Sequence, residues 1–339
     1  MQRPGFIAWG SAAIVVIALA IGAYYRFADS TQETPAGPAE KLTFAVVRQP
    51  LSGIVLVAHS RGLFSKHGLD VTLQDHSLGR SSLAAVNEGK ADVTATPETP
   101  FVFAVLRGEP LKLLATIYGS GTNCVIVARR DRGIAVPSDL AGTRIGLPIG
   151  SAAHFMLDTY FTVHRVTEDR IELVNLRAEE LVDAVASGRV DAVATFPPYS
   201  NQLRRMLGAS AVTFDDPGAY SMTFNVVGTA VLVKERPAVM GRLLRALVEA
   251  EEFAAAHPNE AREIAAAYLK VDKAEIAQTW ERTGFGVSLS QSLLTLLDDQ
   301  SRWAIDHKLT EATVVPNFLD FIYPDALAAV RRDRVTLIR

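Results

Sequence analysis

Residues 85–96 read AVNEGKADVTAT, and residues 184–195 repeat the pattern as AVASGRVDAVAT. In each copy an apolar helix is expected to end at a glycine, Gly89 or Gly188, because glycine readily adopts the left-handed conformation that closes a helix. A cation, an aspartate and a short apolar strand follow. Ligands of open α/β sheets gather at the carboxyl ends of the strands. The repeat therefore predicts two lobes that face each other across a cleft.

The composition suits two globular lobes. The chain has 339 residues, of which 49% are apolar and 21% are charged, which is enough for two α/β units with buried cores. The net charge of −3 and the lack of a long basic run argue against nucleic acid as a partner. The single cysteine, Cys124, cannot form an internal disulfide, and we expect it to be a small buried residue beside a strand.

The N-terminus predicts export. Residues 6–25 carry no charge, and a helix of that length reaches across the hydrocarbon core of a bilayer. A signal peptide cleaved after Ala18-Leu19-Ala20 is the alternative. We assign residues 1–27 to this anchor or signal peptide and the Ser/Thr/Pro/Gly-rich residues 28–40 to a linker. Both interpretations place the globular part in the periplasm or on the outer face of the cytoplasmic membrane.

The order strand–helix–strand–helix–strand occurs twice in the globular part, and right-handed crossovers make such strands parallel. Two β-rich stretches, 123–129 and 224–234, are interpreted as paired hinge strands between the lobes. The helical pattern after residue 236 is expected to cover the first lobe. The predicted fold is therefore α/β with two lobes, each a mainly parallel sheet flanked by helices. Lobe I comprises residues 41–125 and 228–339, and lobe II comprises residues 126–227.

The turn before the first helix of lobe II is the clearest candidate binding site. Gly150 and Ser151 follow a predicted strand, and Ser151 occupies the expected N-cap position. The first-turn amides of such a helix attract anions. His154, one turn further, would either donate to a bound oxyanion or pack against a neighbouring helix. The alternative is that Ser151 only caps its own helix.

Other candidates follow the ends of strands. Arg80 would pair with an anionic ligand or remain a solvated surface residue. Glu98 would meet a cationic ligand group, a backbone amide of the hinge, or solvent. Phe196 and Tyr199 would supply an apolar wall and a hydroxyl. The complete set of predicted ligand contacts is Gln49, Pro50, Leu51, Arg80, Glu98, Gly150, Ser151, Ala152, His154, Phe196, Tyr199 and Asn225.

Motifs for catalysis are missing from the sequence. It contains no Gly-x-Ser-x-Gly elbow, Walker A loop, Gly-x-Gly-x-x-Gly turn or His-Glu-x-x-His pair. His59 and His67 lack a spacing that suits a metal. We therefore expect a protein that is not an enzyme, with no catalytic residue, cofactor or metal.

Residues 41 to about 310 resemble the periplasmic solute-binding proteins of ABC importers, in the branch that binds aliphatic sulfonates, taurine, nitrate and thiamine-pyrimidine precursors. The resemblance lies in residues 58–71, 139–146 and 150–154 and in the two Gly-[Lys/Arg]-x-Asp strands. It implies the type II periplasmic binding fold, whose two lobes close on a ligand. It also implies a monomer that delivers its ligand to a permease and its ATPase.

One turn departs from this family. Relatives often carry an aromatic–acid–Pro–Tyr turn, whose acid can hold a ligand ammonium, where this chain has Phe196-Pro197-Pro198-Tyr199. This favours a small organic anion, sulfonate-like, or a neutral ligand without an amine. The thiamine-precursor synthases of this fold carry a cysteine-rich motif that a chain with one cysteine lacks. The alternatives are a nitrate or pyrimidine-precursor ligand, an enzyme on the same scaffold, or a membrane-linked sensory module.

Overall fold

Apolar strands build two sheets in the computed structural model, which describes residues 38–167, 170–280 and 284–338. In chain order the strands are β1 (Glu40–Val47), β2 (Leu69–His76), β3 (Val93–Pro97), β4 (Leu111–Ser120), β5 (Val125–Arg129), β6 (Arg144–Leu147), β7 (Glu172–Asn175), β8 (Ala192–Thr195), β9 (Ala211–Phe214), β10 (Met222–Thr229) and β11 (Gly284–Ser288). The first sheet has the order β11-β4-β10-β3-β1-β2, and the second has the order β7-β6-β8-β5-β9.

Helices connect and cover these strands. In chain order they are α1 (Gly53–Ser60), α2 (Leu63–Lys66), α3 (Gly79–Asn87), α4 (Glu98–Leu106), α5 (Ala152–His164), α6 (Leu181–Ala186), α7 (Tyr199–Leu207), α8 (Ala230–Glu235), α9 (Pro237–Ala256), α10 (Pro258–Leu269), α11 (Lys273–Trp280), α12 (Gln291–Asp306) and α13 (Asp325–Val330). Helix α9 packs against α1 and α13, and α12 packs against α4. The prediction that the C-terminal helices cover the first lobe is therefore confirmed.

The predicted α/β fold with two mainly parallel sheets is confirmed. In the first sheet β1 is parallel to β2 and β3, and in the second β6 is parallel to β7 and β8. Two strands of the first sheet, β10 and β11, and one strand of the second, β5, run the opposite way. Strand β10 lies antiparallel between β3 and β4, and β5 lies antiparallel between β8 and β9.

The prediction of paired hinge strands is wrong. Strands β5 and β10 do not pair with each other, because each enters its sheet from the other lobe and completes the ladder there. Residues 230–235 form a helix instead of continuing a strand. The chain crosses between Ser120 and Val125 and again between Phe214 and Met222, so the expected boundary at 227/228 falls inside a strand of the first sheet.

The repeated aspartate makes the same contact in both lobes. Asp92 Oδ2 accepts a hydrogen bond from the Thr43 amide at 2.6 Å, and Asp191 Oδ2 accepts one from the Arg144 amide at 3.1 Å. Each carboxylate thus fastens the third strand of its lobe to the first. Asp191 also pairs with the Arg144 guanidinium, whose Nη2 lies 2.9 Å from Asp191 Oδ1. This explains why the Gly-[Lys/Arg]-x-Asp pattern occurs twice in the sequence.

The two lobes are in direct contact, and the residues from Glu40 onward form one compact unit. Trp303 on α12 donates its indole N–H to Asp158 on α5. The Trp303 ring also packs edge-on against Phe103 of the first lobe and Phe155 of the second. The described residues include no helix with the length and apolar character needed to cross a bilayer. The expected anchor or signal peptide at 1–27 lies outside the described residues.

A buried carboxyl group lies where the second crossing rejoins the first lobe. Glu98 is fully buried at the start of α4, and its oxygens accept hydrogen bonds from the Thr223 amide (2.9 Å), the Gln300 side-chain amide (2.8 Å) and the Tyr220 hydroxyl. Loss of hydration raises the pKa of Glu98, and the hydrogen bonds oppose that rise only in part. Glu98 therefore holds the end of the second crossing, where Tyr220 and Thr223 lie, against the start of α4.

Replacing Asp191 by Ala should lower the free energy of unfolding by about 1–3 kcal/mol, because the partly buried Arg144 amide loses its acceptor. Asp92→Ala should have a similar effect through Thr43. Asp70, which is exposed and whose side chain has no hydrogen-bond partner among the described residues, supplies the control, and Asp70→Ala should change stability by less than about 0.5 kcal/mol. Urea unfolding measures all three. Equal stability of the Asp191 and Asp70 variants would contradict the assigned contact.

Glu98→Gln should gain stability over the natural chain as the pH rises. The folded pKa of Glu98 is raised above 4.5, so the natural chain is penalised once the unfolded state ionises. The difference in unfolding free energy should grow by about 1.4 kcal/mol per pH unit above pH 4.5 until the folded pKa is reached. Urea unfolding at about pH 5 and pH 7 measures it. A pH-independent difference would show that Glu98 stays ionised in the fold.

Candidate functional site

The carboxyl ends of strands from both sheets meet around a cavity of about 420 Å³. Val47 and Pro97 line it at the ends of β1 and β3, and Phe196 lines it directly after β8. The loops after β2, β6 and β7 complete the wall. The repeated strands therefore end at a common crevice, as the sequence predicts. Among the described residues, a second cavity of about 500 Å³ adjoins the first and shares Arg80, Pro100, Ile149 and Gly150 with it.

The start of α5 provides hydrogen-bond donors at this cavity. Ser151 is the N-cap, and its Oγ accepts from the His154 amide at 3.3 Å. The amides of Ala152 and Ala153 precede the first intrahelical bond, and within the described ranges neither has an acceptor. Gly150, Ser151 and Ala152 line the cavity. The helix dipole places partial positive charge at this end, so the arrangement favours an anion.

Arg80 adds a full positive charge beside these amides. It lies in the first turn of α3, and its side chain is exposed to solvent. Its Nη2 atom is 3.9 Å from the position that a Cβ on Gly150 would occupy. Within residues 38–167, 170–280 and 284–338 no hydrogen bond or ion pair engages this guanidinium. One lobe thus contributes the cation, and the other lobe contributes the helix start.

His154 shapes the turn at the start of α5 and does not line the cavity. Its Nδ1 accepts a hydrogen bond from the Gly150 amide at 3.2 Å, which places the ring proton on Nε2. Burial, with His307 nearby, lowers the pKa of His154 to about 4, so the ring is neutral at physiological pH. The ring also packs edge-on against Trp303 at a centroid distance of 5.0 Å. Of the two predicted roles, the structure supports packing and not donation to an oxyanion.

The structure brings together seven of the twelve predicted contact residues. Those that line the cavity are Gln49, Leu51, Arg80, Gly150, Ser151, Ala152 and Phe196. Those that do not are Pro50, Glu98, His154, Tyr199 and Asn225. Phe196 and Tyr199 are neighbours in an edge-on ring pair at 6.0 Å, but only Phe196 of the two lines the cavity.

Glu98 and Asn225 are away from the cavity because protein groups engage them. Both are fully buried. Asn225 accepts from Thr116 Oγ1 at 2.7 Å and donates to Thr223 Oγ1 at 2.9 Å. Glu98 meets a hinge amide, which is one of its three predicted environments, and its expected ligand contact is not found. A buried polar group needs such partners, so neither side chain is free to reach a ligand.

Sequence analysis missed two parts of the wall. The first is the loop after β7, where Asn175, Arg177, Glu179 and Glu180 line the cavity. This loop occupies the same position in the second lobe as the loop after β2 does in the first. The internal repeat in the sequence could therefore have predicted it. The second is the floor, which Cys124, Met222 and Phe224 supply from the two crossings. Only the crossing geometry reveals these residues, and no local pattern marks them.

Cys124 is buried, as expected, and it borders the cavity. Burial strongly raises the pKa of its thiol, which disfavours a reactive thiolate. In the described part of the chain no group of three or more His, Cys, Asp or Glu side chains is placed to hold a metal ion. The cavity therefore offers binding groups, and its one thiol is not activated.

Comparison with solved structures identifies the fold. The periplasmic aliphatic sulphonate binding protein SsuA of Escherichia coli superposes with a TM-score of 0.73 at 18% identity, covering 84% of this chain and 97% of SsuA. This similarity, together with the two-sheet topology, establishes the periplasmic binding protein fold.

Two sequence relatives indicate how the fold is used elsewhere. A protein of Brucella abortus (strain 2308) that is named as a binding protein is 26% identical over 259 residues, which is 74% of this chain and 77% of the relative. The 2'-hydroxybiphenyl-2-sulfinate desulfinase of Rhodococcus erythropolis is 32% identical over 117 residues, which is 34% of this chain and 30% of the enzyme. Binding proteins and an enzyme are thus both similar to this chain.

The family assignment rests on a match to a family model that covers more than half of the chain. The family described as NMT1/THI5 like matches residues 49–261. This span includes both repeated strands and the cavity residues from Gln49 to Phe224. The chain therefore belongs to the NMT1/THI5-like family.

Proposed function

We propose that this chain is the exported solute-binding component of an ABC importer and that it captures a small, sulfonate-like organic anion between its lobes. The observation that carries the proposal is the Arg80 guanidinium, which has no partner among the described residues and lies beside Gly150 at the start of α5. A cation and free helix amides on one side of a cavity are the groups that a sulfonate or carboxylate needs.

The chain's own groups suffice to bind such a head group. The Ala152 and Ala153 amides donate to anion oxygens, and Arg80 donates from the opposite lobe. When the lobes approach each other, water is excluded from around these hydrogen bonds. The local dielectric constant falls, and the hydrogen bonds become stronger. The ligand thereby favours the closed arrangement, which is the form that a permease would recognise.

A binding role is better supported than turnover. The thiol at the cavity has a raised pKa, and neutral His154 is occupied by the Gly150 amide. Binding proteins and the desulfurization enzyme DSZB share this fold, so the chemistry of the cavity decides between the two roles. Delivery to a permease and its ATPase, periplasmic localisation and a monomeric state are parts of the same proposal.

Arg80→Gln should weaken the binding of 1-butanesulfonate by about 10–100-fold, since a hydrogen bond to a charged group contributes roughly 1.5–3 kcal/mol. Isothermal titration calorimetry measures the dissociation constants. The matched control is Arg205→Gln, which changes an exposed arginine on α7 that does not line the cavity. Unchanged binding by the Arg80 variant, or equal loss in the control, would contradict the proposed anion site.

The affinity for 1-butanesulfonate should not rise through protonation of His154 between about pH 5.5 and pH 8, because the pKa of His154 is about 4. Calorimetry across this range, on the natural chain and on His154→Asn, measures the effect. An affinity that increases as the pH falls through about 6.5, and that becomes flat in His154→Asn, would show that His154 charges and holds the anion.

A further inference from the structure

We infer that the ligand is an amphipathic anion, with one anionic head group and an uncharged apolar body of about ten non-hydrogen atoms. This inference rests on the proposed function and specifies its substrate class. It favours aromatic or branched organic anions over nitrate and taurine.

The cavity volume is the first argument. At roughly 30 Å³ for each atom the size of a water oxygen, about 420 Å³ accommodates about 14 such atoms. Nitrate or taurine would leave half of this space or more to water. Binding sites are usually filled by the ligands they select, since the walls then bury most of the ligand surface.

The nature of the walls is the second argument. Away from Arg80 and the start of α5, one part of the wall is apolar and the other is polar. The apolar part consists of Val47, Leu51, Leu78, Phe196, Met222 and Phe224, and the polar part includes Gln49, Asn123 and the loop after β7. Phe224, Val47, Met222 and Leu51 are buried, so the floor is already formed without a ligand. An apolar body placed there gains about 25 cal/mol for each Å² removed from water. A small polar ion gains nothing from these walls.

The placement of acidic groups is the third argument. Among the described lining residues, Glu179 and Glu180 are the carboxylates, and both are engaged by Arg177. Arg177 Nη1 lies 3.5 Å from Glu179 Oε1, and the Arg177 amide donates to Glu180 Oε2 at 2.8 Å. Glu98 is sealed away from the cavity. An ammonium group on the ligand therefore meets no unpaired carboxylate, and its dehydration is not compensated.

The test is a calorimetric series with 2-naphthalenesulfonate, ethanesulfonate, taurine, nitrate and uncharged 2-naphthalenemethanol. We expect 2-naphthalenesulfonate to bind at least about tenfold more tightly than ethanesulfonate, with taurine and nitrate weaker still. Phe196→Ala should remove much of the advantage of the naphthyl compound. Leu207→Ala, a half-buried apolar residue of the same lobe outside the cavity, is the matched control and should preserve it.

The series separates the two proposals. Equal affinity for ethanesulfonate and 2-naphthalenesulfonate, or tighter binding of taurine, would overturn the amphipathic ligand and leave the anion-binding function standing. Binding of 2-naphthalenemethanol with no binding of any sulfonate would overturn the anion-binding function itself. Retention of the full naphthyl advantage in Phe196→Ala would contradict the assigned position of the apolar body.

Discussion

The structure depends on two carboxylates that each fasten one strand to another. Asp92 accepts the Thr43 amide within β1, Asp191 accepts the Arg144 amide at the start of β6, and so each fixes the first and third strands of its lobe relative to each other. Because the strands are parallel, fixing their alignment also fixes where they end. The loops that follow β1, β3, β6 and β8 therefore meet at one place, and the cavity is a consequence of strand alignment in two separate sheets.

The proposed anion site relies on few groups. They are the Arg80 guanidinium and the two free amides at the start of α5, where the helix dipole also favours negative charge. His154 contributes indirectly, since it holds the Gly150 amide and so sets the direction of the turn. Its low pKa makes this contact insensitive to physiological pH. The buried carboxyl of Glu98 has a similar supporting role at the crossing, where it accepts four hydrogen bonds, from Tyr220, Gln300 and the amide and hydroxyl of Thr223, away from the cavity.

The sequence predicts the lobes, the strand order within each repeat and the capped turn at Ser151, because these follow from local patterns of apolar residues, glycines and caps. It does not predict that β5 and β10 run antiparallel to their neighbours, since an apolar stretch of sequence does not indicate which way its strand runs in the sheet. The floor residues Met222 and Phe224 were missed for the same reason. Glu98 and His154 are polar residues beside a predicted site, and only their burial and partners show that they support the wall instead of forming it.

A crystal structure of the complex with 2-naphthalenesulfonate tests the central claim most directly. We expect sulfonate oxygens within hydrogen-bond distance of the Ala152 amide and the Arg80 guanidinium, with the rings against Phe196 and Phe224. A ligand seated in the adjoining cavity beside Arg107, or one whose sulfonate faces solvent away from α5, would contradict it.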